Sequence, residues 1–454
     1  MHINNEKKKI IIFLDHDIII RHFILTNVFR QIESMYNVLY VFPESNKRVK
    51  VDVDLLKLKN IKKIKTSDTR TYLWRRLYQH QVLKNARKGD NKKHLYGFWR
   101  EALGFRPFLK TLIMSFTPFF QIYKYIVLKK ISNDPDLEQL IDDFKPNLIL
   151  HPTVLEGLFV SDLILIGKKQ KIPTVFLMNS WDNPATKAVL MGAPNWLVVW
   201  GEQTKKIAIE NLRIKPEQVL MFGAAQFDVY KKPPKRNTEE VKKYLGINAQ
   251  KKMIIYAGSS KNVNEIEHLI FLDNEIEKGI IPNSEIIFRP HPWRGIVNGE
   301  VDFFSIKWKN IKIDPEMISA YQSSKTGSKE IFFANIEYTH EILSACDLLI
   351  SPVSTILLEA YMHGKPIIAY LPENDIPKNF FLREMAAMSF FKDFFEKSNS
   401  GPVKTSIELV DKIVKIITNS NIDEDKIKND SRYFVQQTDK NYGELLKEHI
   451  EHII

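Results

Sequence analysis

Two short apolar runs, 10–14 and 38–42, flank a helix-length segment whose apolar positions fall at Phe23, Val28, Ile32 and Met35. That spacing predicts a βαβ unit. Strand text returns at 148–150, 174–178, 197–200 and 219–221, and a second series occupies 253–257, 285–289, 348–351 and 366–370, with helical text between. Strands alternating with helices predict an α/β chain of two doubly wound sheets, their strands' carboxyl ends lining a cleft between them. Between the two series, YKKPPKRNT at 230–238 reads as an interdomain linker. The boundary is therefore placed near Pro234: a first domain over 1–233, a second over 234–430, and a last helical segment over 431–454. From about 47 to 130 the strand pattern lapses. Tyr72, Trp74, Tyr78, Trp99 and Phe105 stand among basic residues there, which predicts a helical insertion in the first domain.

The stretch 348–370, LLISPVSTILLEAYMHGKPIIAY, packs strand, small-residue turn, helix and strand together with no spare residues. The first N–H groups of a helix lack intrahelical partners and the dipole is positive there, so such a turn suits a phosphate. Ser351, Ser354 and Thr355 add hydroxyl donors. Glu359 follows Thr355 by one turn on the same face, within reach of a sugar hydroxyl beside the phosphate. The structural alternative is an ordinary capped helix.

A second stretch, EIIFRPHPWR at 285–294, is a strand ending in an Arg-Pro-His-Pro corner. The prolines on either side of His291 restrict the backbone that presents its imidazole. Arg289 and Arg294 flank it, and the position is the carboxyl end of a predicted parallel strand, where open α/β sheets bind ligands. A third position of this kind is Gly258-Ser259-Ser260.

Together these motifs resemble the donor-binding half of GT-B glycosyltransferases, above all bacterial surface-polysaccharide enzymes with a His-Pro motif and a Ser/Thr-rich turn. Bacterial sialyltransferases, Kdo transferases and the CDP-glycerol glycerophosphotransferases of teichoic acid synthesis are of this kind. The stretches SWDN at 180–183, WLVVWGE at 196–202 and VLMFGAAQFD at 219–228 are similar to the end of the N-terminal domain in a group of bacterial GT-B-like proteins. The resemblance covers 147–370 and does not extend to the first 140 residues. It implies a GT-B fold of two Rossmann-like domains, with the last helix packing back on the first. It further implies transfer from a nucleotide-activated donor, a substrate rather than a cofactor, to a cell-surface polysaccharide or lipid-linked glycan. A sugar is the first expectation for the group moved, and a polyol phosphate from a CDP-linked donor is the alternative. A UDP-sugar 2-epimerase is less favoured, because SPVST departs from that family's Gly-Asp-Ser-Gly-Gly turn. A non-catalytic GT-B module binding polyanions is the remaining alternative.

Composition sharpens the partner. The chain has 454 residues and a net charge of +12, yet 47–130 alone holds 22 Lys/Arg against 5 Asp/Glu, so the remainder is slightly acidic. Such asymmetry predicts an anionic partner for the first domain. Beside the basic text, the apolar run 111–128 is broken by Pro118 and Lys124 and borders the minimum length of a span, so it reads as a buried or interfacial helix pair. An anionic membrane surface fits both features. Nucleic acid is less favoured, since no recognised nucleic-acid module accompanies the aromatics. Residues 1–9 are polar and the run after them stops at Asp15, so no secretory signal is read. One cysteine, Cys346, rules out an internal disulfide framework. Both predict a cytoplasmic protein, peripheral on the inner face of the membrane if the basic face docks there.

Displacing a nucleotide requires donors on the leaving phosphate and a base for the acceptor hydroxyl. His291, Ser354 and Thr355 are assigned to the phosphate, with Arg289 as planar charge partner. For the base, Asp182 and His16 rank ahead of His151 and Glu156. Asp15-His16-Asp17 formally matches a metal-binding Asp-x-Asp, but the same spacing recurs at Asp52, Asp134 and Asp423, and no metal is assigned.

Overall fold

The computed structural model describes residues 7–44, 49–131, 134–260, 263–294, 297, 299–326, 332–373 and 380–454. The chain divides into two units, one comprising Met1–Asp228 with Tyr433–Ile454 and the other Val229–Arg432.

In the first unit the strands are β1 (Lys9–Phe13), β2 (Asn37–Pro43), β3 (Ile61–Ile64), β4 (Leu148–Thr153), β5 (Thr174–Met178), β6 (Trp196–Val199) and β7 (Val219–Met221). They form a parallel sheet in the order β3-β2-β1-β4-β5-β6-β7. The central strands are covered by helices on both faces, which is why KIIIF and LILHPT read as nearly unbroken buried runs. In the second unit β8 (Lys252–Ala257), β9 (Ser284–Arg289), β10 (Ile311–Ile313), β11 (Leu348–Ser351) and β12 (Ile367–Ala369) form a parallel sheet in the order β10-β9-β8-β11-β12. In each sheet the order reverses once, between β1 and β4 and between β8 and β11. Ligands of such sheets bind outside the carboxyl ends at that reversal.

Two strands depart from the sequence reading. The region from 47 was expected to be helical, yet its first part carries a short helical turn, Val53–Leu56, and then β3, paired in parallel with β2. IKKI hides as a strand because it is an edge: Ile64 is buried, while Lys62 and Lys63 face water, a common guard against edge-to-edge pairing. β10 has only three residues, too few for a pattern.

The rest of the insertion is helical, over Asp68–Ala86, Lys92–Leu103, Phe105–Met114 and Thr117–Lys130. It packs around Trp74, Leu77, Phe120, Val127 and Leu190. Arg70 fastens it, pairing with the buried Asp162 and donating to the Ile131 carbonyl at 2.7 Å, while Trp74 donates to Asp162 at 3.2 Å.

The chain's last residues lie in the first unit. Gln436 N donates to the Trp200 carbonyl at 2.7 Å and Gln203 N to the Tyr433 carbonyl at 3.1 Å. Gly223 permits the approach: its φ is +81° and an added Cβ would stand 2.5 Å from the Gln436 carbonyl oxygen. The helix Tyr442–Ile453 then packs Tyr442 edge-on to Phe23, and Tyr442 N donates to Asp228 at 2.6 Å.

Candidate functional site

In the second unit, three loops leave the carboxyl ends of β8, β9 and β11. Gly258 N donates to the Arg289 carbonyl at 2.8 Å, and the buried Ser259 donates its N–H to Glu265 at 2.6 Å. A Cβ on Gly258 would stand 2.7 Å from a Glu265 carboxylate oxygen, so only glycine allows this turn to lie on that side chain. Ser260 follows, half-buried.

After β9, His291 is half-buried, and its Nδ1 accepts the Trp293 N–H at 2.9 Å. A neutral imidazole whose Nδ1 accepts carries its proton on Nε2, so the corner presents a ring N–H donor. The flanking arginines turn inward instead. Arg289 is buried against Asp314 and donates to Thr339 Oγ1 at 2.8 Å, with Asp314 also accepting from Tyr338 at 2.7 Å. Arg294 pairs with Glu265 at 3.0 Å and with Glu300, which Lys325 also reaches at 2.9 Å. These two ion networks fasten the loops around His291. The guanidinium of Arg289, assigned from sequence to the phosphate, is here held by Asp314.

Following β11, Ser351 is fully buried and its hydroxyl finds no hydrogen-bond partner among the described residues. Ser354 stands in extended conformation as the cap of the helix Thr355–Met362, but its side chain makes no capping bond. The helix thus offers its first amides together with the Ser354 and Thr355 side chains, both half-buried. Glu359, one turn in, accepts from the Tyr230 hydroxyl at 2.5 Å. Tyr230 lay in text read only as linker, and nothing in its spacing marked it.

In the first unit the loops after β1, β4 and β5 gather Asp15, His16, Glu156 and Asp182 at the carboxyl edge. Asp15 accepts the Leu158 N–H at 2.9 Å, and a Cβ on Gly157 would stand 2.1 Å from its carboxylate. Asp17 accepts the amides of Lys50 and Val51 at 2.9 and 3.1 Å. The Asp-x-Asp carboxylates are therefore turned to separate backbone amides. Among the described residues no group of three or more His, Cys, Asp or Glu is placed to hold a metal ion.

His16 caps the turn Asp17–Ile19, its Nδ1 accepting the Ile18 N–H at 3.2 Å, which puts the neutral ring's proton on Nε2. His151 is fully buried, its Nδ1 donating to the Phe13 carbonyl at 3.0 Å, and burial lowers its pKa. Glu156 pairs with Lys187 at 2.8 Å. Asp182 occupies the cap position of the turn Asn183–Thr186 without making the capping bond; among the described residues its carboxylate has only long contacts, 3.4 Å to Asn183 and 3.4 Å to Thr186. Sequence reasoning passed over His22, which is buried against Asn179 at 2.8 Å and whose pKa burial lowers to about 3.

Two parallel, doubly wound sheets with loop-borne polar groups at both reversals define a GT-B protein. The same fold is found in a UDP-GlcNAc 2-epimerase from Neisseria meningitidis bound to UDP-GlcNAc, 12% identical, with a TM-score of 0.50 over 98% of this chain and 100% of that one. It is found again in the glycotransferase of kitacinnamycin, 9% identical, with a TM-score of 0.52 over 99% of each chain. Residues 187–452 match the family CDP-Glycerol:Poly(glycerophosphate) glycerophosphotransferase, and the chain belongs to it. No curated protein matches the chain in sequence.

Proposed function

We propose that this protein transfers a glycerol phosphate or related polyol phosphate from a CDP-linked donor to a growing cell-surface polymer. The observation that carries the reading is the loop set of the second unit: a ring N–H donor at His291 and the uncapped N-terminus at Ser354 and Thr355, in a chain of the CDP-glycerol family. The acceptor hydroxyl attacks the phosphorus that carries the polyol. A P–O bond forms to the acceptor, the P–O bond to CMP breaks, and CMP leaves with the negative charge. His291 Nε2–H and the helix amides stabilise that charge as it develops, as preorganised donors do. Ser351 and the Gly258-Ser259-Ser260 turn line the same end of the sheet. Glu359 reads the ribose, and Arg289, held by Asp314, fixes the strand end that presents His291.

For the acceptor's proton, Asp182 is the base assigned within the first unit. His16 is the weaker base, because its Nδ1 already accepts a backbone N–H and its neutral ring presents a proton, not a lone pair, at Nε2.

The acceptor side docks on an anionic membrane surface. Phe105, Leu109 and Ile113 share one face of Phe105–Met114, and Phe119, Ile122 and Ile126 share one face of Thr117–Lys130. All six are exposed, Phe105 at 69% and Ile122 at 60%. The helices bend by 92° at their junction, and among the described residues no single helix is long and apolar enough to cross a membrane. Exposed aromatic and aliphatic side chains amid a surplus of lysine and arginine suit an interfacial site.

Thermal-shift measurement with CDP, UDP, CMP and GDP tests the donor reading. Cytidine nucleotides should stabilise the protein, by about 2.7 kcal/mol at ~100 times the dissociation constant. A response to UDP alone would favour sugar transfer, and no response to any of the four would leave a non-catalytic module.

A further inference from the structure

Around Glu359 the second unit builds a support that donor chemistry alone does not require. The Tyr230 hydroxyl donates to Glu359 Oε2 at 2.5 Å, the short end of the range for a hydroxyl on a carboxylate. Its ring is held by two imidazoles, with centroids 5.2 Å from His340 and 4.5 Å from His363. Both imidazoles are anchored to the residues they connect. His340 Nε2 donates to the carbonyl of Lys232, two residues after Tyr230, at 2.8 Å. His363 Nδ1 donates to the carbonyl of Glu359 itself at 2.7 Å, and the two imidazole rings stand side by side with centroids 5.0 Å apart. One chain of contacts therefore fixes the phenol relative to the helix Thr355–Met362, and the phenol in turn fixes the plane of the carboxylate.

We propose that Tyr230 is a positioning residue: clamped by His340 and His363, it orients the Glu359 carboxylate to receive the ribose hydroxyls of the donor nucleotide. This rests on the reading of Glu359 given above. A glutamate on a helix face has three side-chain torsions, and ordering them beforehand removes an entropic cost from binding. A carboxylate locked by a phenol meets a ribose diol in one geometry, so the lock acts on recognition of the nucleotide rather than on the phosphate chemistry. Tyr230→Phe removes only the hydroxyl and keeps the ring between the histidines.

The test is calorimetric binding of CDP, UDP and their 2′,3′-dideoxy forms to the full chain, for wild type, Tyr230→Phe, Glu359→Gln and the double variant. Wild type should prefer the ribonucleotide by about tenfold or more, the size of one charge-assisted hydrogen bond. Glu359→Gln should abolish the preference. Tyr230→Phe should cut it several-fold with an unchanged melting temperature, and the double variant should be no worse than Glu359→Gln, since both act through one carboxylate. Glu359→Asp, which keeps the charge but pulls it back from the phenol, should repeat the Tyr230→Phe result and serves if that variant melts early. Wild-type preference retained in Tyr230→Phe overturns the positioning role. Preference retained in Glu359→Gln overturns the ribose reading itself, and a wild type that binds neither nucleotide overturns the donor site.

Discussion

Replacing Arg294 by Met should unfold the second unit at moderate temperature, and the loss can be sized from its partners. The Arg294 side chain is 1% exposed and lies against Glu265 and Glu300, both 0% exposed. Lys325 remains on Glu300, but nothing cationic in the described contacts replaces Arg294 on Glu265. Breaking a buried pair from one side costs about 3–5 kcal/mol, because the remaining carboxylate is left uncompensated. For a unit of this size each kcal/mol moves the midpoint by about 2–4 °C, so a fall of roughly 6–20 °C is expected by calorimetry at pH 7.5. The pH dependence has a definite sign. Burial raises the Glu265 pKa even with Arg294 beside it. A carboxyl raised on folding binds more protons folded than unfolded, so its stability contribution falls as pH climbs from the unfolded value of ~4.3 through the folded one. Removing Arg294 raises it further, so the deficit should be largest at pH 7–8 and shrink near pH 5. Pairing Arg294→Met with Glu265→Leu should recover much of the loss. A variant melting within about 2 °C of wild type at pH 7.5 would refute the reasoning, as would a deficit that grows on acidification.

Gly157→Ala places a Cβ 2.1 Å from the buried Asp15 carboxylate and should lower the first unit's stability by about 1–3 kcal/mol, read as a separate transition in the same scans; an unchanged transition contradicts that packing. Co-sedimentation with vesicles containing anionic lipid should weaken steeply with salt, and Ile122→Glu with Phe105→Glu should abolish it without changing nucleotide binding. Equal recovery on neutral and anionic vesicles would sink the docking surface. Limited trypsin digestion should cut first within 231–237, where Lys231 and Lys235 are exposed and not followed by proline, and an earlier cut between β8 and β12 would speak against that segment as the domain linker.

What was legible in the sequence follows a physical rule. Strands buried on both faces announce themselves as apolar runs, so β1, β5 and β11 were placed from text alone. β3 was missed because an edge strand needs only two apolar residues and uses lysines for protection. The His-Pro corner was legible because proline constrains its neighbours locally. The partners of its arginines were not, since Asp314 lies 25 residues from Arg289 and Glu265 29 from Arg294, and pairings of that separation depend on the sheet having formed. Charge type gave no warning either: an arginine read as a ligand for phosphate and one that braces a loop look the same in a string of letters. Tyr230 shows the same limit, because a tyrosine in proline- and lysine-rich text carries no period to betray that it meets a helix 129 residues later.

The most direct test of the account is donor turnover by His291→Ala, measured as release of CMP from CDP-glycerol in the presence of a poly(glycerol phosphate) primer. A half-buried loop side chain contributes little core packing, so the variant should melt with wild type. Losing the Nε2–H donor to a leaving phosphate should cost about 1.5–3 kcal/mol, or roughly 10–160-fold in kcat/KM. More of that loss should appear in kcat than in KM, because the bond strengthens as charge builds on the phosphate. A variant that melts early yet turns over CDP-glycerol as fast per folded molecule as wild type would contradict the account, leaving His291 a packing residue and the donor site elsewhere.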